Sequence, residues 1–178
     1  DYSGGPSTDL YPHVLTQAVH MLGVTFPSVV VATGGKHRYE EREVPDTFHL
    51  LVEYPEKVTI SLVGTQASNY PGAMTRPPST APIVRGWEGT LTFEGQEIVF
   101  TPEPGQKDKP ARRIPIERPY DHVRHMANFL ECCRTRQQPY CPVDLAFHTQ
   151  TALQMGMLGL RHGQVARFDP AEKKIVCP

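Results

Sequence analysis

Several familiar signatures are missing from this sequence of 178 residues. No apolar run approaches the roughly 18 residues of a membrane-spanning helix. No excess of one charge exists either: 18 Lys and Arg face 19 Asp and Glu, for a formal charge of −1. That balance excludes the basic footprint of a nucleic-acid binder and any electrostatic pull toward acidic membranes. The 4 cysteines are too sparse for a disulfide scaffold, and no Cys-x-x-Cys pair suggests structural zinc. Internal repeats and low-complexity tracts are absent. So is Gly-x-Gly-x-x-Gly, the turn that holds a dinucleotide pyrophosphate at a helix N-terminus. The first residue is Asp1 and no leader can be read. Unpaired cysteines lean weakly toward a reducing, cytoplasmic setting.

What is present is turn chemistry and two periodicities. The 18 prolines and 14 glycines fall mostly between patterned segments, as loop punctuation should. Leu10, Val14, Ala18 and Leu22 recur every fourth residue and predict a helix that Gly23 stops, with Thr8 or Asp9 as N-cap. The β-branched run Ser28 to Thr33 predicts a strand. From Thr47 to Tyr54 side chains alternate, and Pro55-Glu56 turns the chain into a second run, Val58 to Gly64, predicting an antiparallel hairpin. After a proline-rich loop over 66–82, strands are expected at 83–87, 89–93, 97–101 and 113–116. Helical periods follow over 120–136 and 142–161, and Val165 to Phe168 reads as a short edge strand. Strands segregated from helices predict a single α+β domain over 1–178, an open, mostly antiparallel sheet with helices packed on one face.

The chemistry-bearing residues cluster at the first helix. Asp9 and His13 are four apart and share a face. A carboxylate so placed can hold an imidazole in one tautomer, which suits a general acid or base. Gly4-Gly5 just before them lets the backbone approach a ligand closely. By spacing alone, a capping aspartate beside a solvated histidine is the better account of the pair.

The pattern Gly4-Gly5-x-x-x-Asp9-x-x-x-His13 resembles the motif that opens the substrate-side helix of the glucose-fructose oxidoreductase, inositol dehydrogenase and MocA (Gfo/Idh/MocA) family. His125-x-x-Asn128-Phe129-Leu130-Glu131-Cys132 with Arg134, Arg136 and Pro139, then Gly156 to Gly163 and Phe168-Asp169-Pro170, is similar to that family's last helices and closing strand. Asp46-Thr47 entering the hairpin matches as well. The resemblance implies the C-terminal domain of a two-domain NAD(P)-dependent oxidoreductase acting on a sugar, polyol or derivative. It implies NAD or NADP held by a Rossmann domain that this chain lacks, so that the chain alone is inactive. It makes His13 the acid/base and Asp9 its partner, with Thr16 and Gln17 toward the substrate. Relatives often carry glycine two residues after the aspartate, where Tyr11 stands, and a second aspartate three after the histidine, where Thr16 stands. Two other outcomes fit the same scaffold: a non-catalytic binding or assembly domain, and part of an NAD-dependent glycosidase.

Other clusters read as structural. His122, His125 and Cys132 lack the tight spacing of a metal site. Cys132-Cys133 suits packing, and the arginines at 112–113, 134 and 136 suit a solvated surface. The mixed hairpin face (Thr47, His49, Leu51 and Glu53 beside Thr59, Ser61, Val63 and Thr65) either meets solvent or packs on a second subunit to form a homo-oligomer, which the family resemblance favours.

Overall fold

A computed structural model describes residues 4–67, 82–117 and 121–177. The loop expected at 66–82 lies largely outside them. The chain divides into two compact units, one within Asp1–Tyr70 and Cys141–Pro178, the other within Pro71–Tyr140.

The first unit begins with a π-helical turn, Pro6–Leu10, running into helix α1, Tyr11–Leu22, which ends at left-handed Gly23. Strands β1 (Val29–Gly35), β2 (Thr47–Tyr54) and β3 (Val58–Thr65) follow. The hairpin register pairs Leu50 with Leu62 and Tyr54 with Val58, where period-two alternation places it. Phe48, Leu50, Val52 and Tyr54 point inward and are buried. Leu15 and Val19 of α1, with Leu153 and Met155 of a long C-terminal helix, close over them in one core. That helix spans Val143–His162, and its apolar residues leave no continuous polar face. Both helices therefore lie on the same side of the sheet. The opposite face carries Val31, Leu51 and Val63, all exposed.

One strand position differs from expectation. The strand Ala166–Asp169 is not an edge: it pairs with β1 on one side and with a further strand, Lys174–Val176, on the other. That last strand is three residues long and shows no periodicity of its own, and its partner makes it a strand. All pairings in this five-stranded sheet are antiparallel.

The second unit holds a four-stranded antiparallel sheet of Val84–Arg85, Gly89–Glu94, Glu97–Pro102 and Arg112–Pro115, paired in sequence order. The strands thus form two sheets, because the later hairpins pair only with their sequence neighbours. Arg113 bridges Glu97 at 2.9 Å and Glu94 at 3.0 Å, so one of the arginines read as solvated is tied across the strands. The helix His122–Thr135 is capped by the Asp121 side chain, which accepts from the Val123 amide. None of its residues is buried: the apolar stripe of Val123, Met126, Phe129 and Leu130 is exposed. Trp87, the sole tryptophan, is 97% exposed.

Between β1 and β2 the chain makes an eleven-residue excursion, 36–46, that ends on a fully buried carboxylate. Asp46 Oδ2 accepts from the backbone amides of Tyr39 at 3.0 Å, Arg38 at 2.8 Å and His37 at 3.0 Å. Its Oδ1 accepts from Thr47 Oγ1 at 2.9 Å. The Tyr39 amide first, then those of Arg38 and His37 and the Thr47 hydroxyl, hold this carboxyl well below the usual carboxylate range, against the opposing pull of burial. Just before it, within β1, Gly34 has a φ of 151° and lies so close to the Thr47 carbonyl that no Cβ would fit.

Two outcomes follow. Gly34→Ala costs about 1–3 kcal/mol, the range for forcing a side chain into a disallowed backbone setting, read by urea unfolding. Asp46 has a depressed folded pKa, so its contribution is complete above the unfolded value of about 3.9 and is lost as pH falls below it. Asp46→Asn therefore lowers Tm at pH 7 and narrows the Tm loss between pH 5 and pH 2. An acid arm identical to the wild type's would contradict this.

Candidate functional site

The glycine pair sets how the first helix is entered. Gly5 sits at φ 63° and ψ −142°, a region open to glycine. A Cβ there would fall 2.8 Å from Val44 Cγ2 and 3.1 Å from the Pro45 carbonyl. The Gly5 carbonyl accepts from the Asp9 amide at 3.0 Å, and the Tyr11 amide reaches back five residues to Pro6. This widened turn replaces the capped helix start expected at Thr8 or Asp9: neither it nor α1 has a side-chain capping bond. Thr8 Oγ1 instead donates to Asp9 Oδ1 at 2.9 Å.

Asp9, His13 and Gln17 follow one another at four-residue spacing on the exposed side of this helix, while Ser7, Tyr11, Leu15 and Val19 form the buried side. Thr16 is half-buried at the flank. The Gln17 side chain turns back, its Nε2 donating to the His13 carbonyl at 2.9 Å. The four residues singled out from sequence thus occupy one short stretch of helix, three of them on its open face. Among the described residues no group of three His, Cys, Asp or Glu could hold a metal ion, and no helix is long and apolar enough to cross a membrane.

Tyr11 was noticed only as a departure from the family pattern, and its place explains it. The ring stacks on Phe48 with centroids 6.0 Å apart, and the hydroxyl donates to the Phe48 carbonyl. Burial pushes the phenol up to about 12. Opposite it stands Gly64, where a Cβ would lie 2.7 Å from the hydroxyl oxygen. The missing side chain on β3 makes the space that the tyrosine fills, so the helix start is bolted to the hairpin. Asp46 stands out in the sequence only as the residue entering the hairpin in the family resemblance, and its supporting role is not legible there. Its signal was an aspartate directly before a strand, which by itself reads as ordinary turn chemistry.

Known proteins agree with this architecture. A search of curated proteins finds no match. Among solved structures, an aldose-aldose oxidoreductase from Caulobacter crescentus, complexed with glycerol, superposes with a TM-score of 0.67 at 18% identity, over 93% of this chain and 48% of that one. An oxidoreductase from Agrobacterium radiobacter, in complex with NAD+, L-tartaric acid and magnesium, gives 0.65 at 12% identity, over 89% and 48%. The chain therefore spans about half the length of the solved structures it matches. At these identities the likeness is one of fold. The family model described as the GFO/IDH/MocA C-terminal domain matches residues 1–92, the stretch that holds the glycine pair, Asp9, His13 and the whole hairpin. With more than half of its length so matched and its fold shared, this chain belongs to the GFO/IDH/MocA C-terminal domain family.

Proposed function

We propose that this chain is the substrate-binding and oligomerisation domain of an NAD(P)-dependent oxidoreductase acting on a sugar, polyol or derivative. The observation that carries the reading is the placement of Asp9 and His13 on one exposed helix face, within the matched stretch. The dinucleotide belongs to another part of the full-length protein. Every strand pairing among the described residues is antiparallel and the sequence has no Gly-x-Gly-x-x-Gly, which supports this part of the reading. The neighbours complexed with NAD+, glycerol and tartrate support a cofactor and a small hydroxylated ligand in the family.

In this reading a ring nitrogen of His13 takes the proton from a substrate hydroxyl in one direction and returns it in the other. Asp9 holds the ring in the receptive tautomer and offsets its charge when protonated. Thr16 and Gln17 contribute hydroxyl and amide groups to the substrate side. Thr16 takes the place of a second aspartate, so a hydroxyl stands where relatives often offer a carboxylate. The alternative is a non-catalytic binding or assembly domain of the same fold, in which the motif residues serve only the helix start. An NAD-dependent glycosidase remains an outcome of the assay.

The second half of the proposal concerns the bare sheet face. Its cross-strand rows are Val31, Leu51 and Ser61, then Thr33, His49 and Val63. Val63 is 80% exposed and Leu51 52%. A second copy laid on this face buries those residues in a two-fold contact.

The assay uses the full-length protein with NAD+ or NADP+ and a panel of glycerol, D-glucose, myo-inositol and p-nitrophenyl glycosides. Dehydrogenation of a hydroxylated member is expected, and His13→Ala lowers its turnover by about 10²–10⁴-fold. Unchanged turnover overturns the role of His13, and glycoside cleavage alone replaces the dehydrogenase reading. In light scattering, Val63→Glu converts an oligomer to monomer, whereas a monomeric wild type refutes the interface.

A further inference from the structure

We infer that Asp46 is a positioning residue for the Asp9–His13 face, acting through Val44 and Pro45 on the Gly5 hinge. Asp46 touches neither member of the pair, and its catalytic consequence rests on the function proposed above. The mechanical link does not.

The connection can be followed atom by atom. Asp46 Oδ2 gathers the amides of residues 37–39, so the start of the 36–46 excursion is fastened to its end. The Asp46 backbone fastens the same point on both sides: its amide donates to the carbonyl of Gly35 at the end of β1 at 3.1 Å, and its carbonyl accepts from the amide of Gln66, just past β3, at 2.7 Å. Two arginines brace the far side. Arg38 Nη1 donates to the Ala67 carbonyl at 2.9 Å, and Arg42 Nη1 to Gln66 Oε1 at 2.5 Å. Their guanidinium carbons lie 5.2 Å and 4.4 Å from the centroid of the Tyr39 ring.

Held this way, Val44 and Pro45 form a fixed wall. Gly5 lies against that wall so closely that a Cβ would collide with it. Its carbonyl in turn receives the Asp9 amide. A shift of Val44 therefore reaches Asp9 through one residue, and His13 follows on the next turn of the same helix. The carboxylate accounts for three of the excursion's amide bonds, whereas each arginine contributes one side-chain bond outward. Losing the carboxylate's charge leaves its amides weakly held and lets the wall move.

The test is site-resolved amide hydrogen exchange on the full-length protein carrying Asp46→Asn, Val44→Ala or both, with kinetics on the substrate that the panel above turns over fastest. Asp46→Asn is expected to speed exchange at the Asp9 amide roughly ten- to a hundredfold, as loss of a charge-assisted hydrogen bond does. The amides of Val52 and Leu153 stay at wild-type protection. Val44→Ala, which leaves the carboxylate's bonds intact, also speeds Asp9, and the double variant does not exceed the larger single effect. In Asp46→Asn kcat falls while KM stays within about twofold, the split expected when the reacting group is misplaced and binding is retained. An unchanged Asp9 amide in Val44→Ala overturns the proposal, as do fully additive effects or a uniform loss of protection. If His13→Ala keeps full turnover while Asp9 exchange responds as stated, the catalytic reading fails and the positioning link stands.

Discussion

Alternation along β2 is the constraint on which the rest of the first unit depends. One set of side chains, Phe48 to Tyr54, must leave water, and the other set cannot follow it to the same side. Both helices are therefore committed to one face, and among the described residues the other face carries Val31, Leu51 and Val63 exposed. At roughly 25 cal/mol per Å² of apolar area, the buried side supplies the driving force. The site helix inherits its orientation from this arrangement. With Ser7, Tyr11, Leu15 and Val19 pressed inward, Asp9 and His13 have only the outside to occupy.

Much of this was legible in the sequence because it is periodic. The hairpin, α1 and the C-terminal helix each repeat a pattern long enough to stand above noise, and their boundaries fall within a few residues of the expected ones. The candidate site was legible for the same reason, since Asp9, His13 and Gln17 are spaced by whole helical turns. The family match over residues 1–92 agrees with the motif that drew attention to them.

What escaped the sequence is what depends on partners. The strand Lys174–Val176 is extended because Ala166–Asp169 lies beside it, and three residues carry no period. The π-turn could not be foreseen from Pro6 to Leu10, and Gly5, which enters it, lies against Val44 and Pro45 some forty residues on. Asp46 stood out only as a motif residue entering the hairpin, and only the convergence of three amides on one oxygen reveals its larger part. The stripe on His122–Thr135 taught the converse: an apolar helical face was readable, yet none of its residues is buried.

The position of Trp87 has a practical consequence for anyone following this protein by light. The only indole sits in the smaller unit and already faces water. Its emission changes little when the five-stranded sheet comes apart, so a flat fluorescence trace would be mistaken for resistance to unfolding. The buried phenols of Tyr11 and Tyr54 lie inside that sheet's core. Near-ultraviolet signals from those two rings are the ones that report its loss.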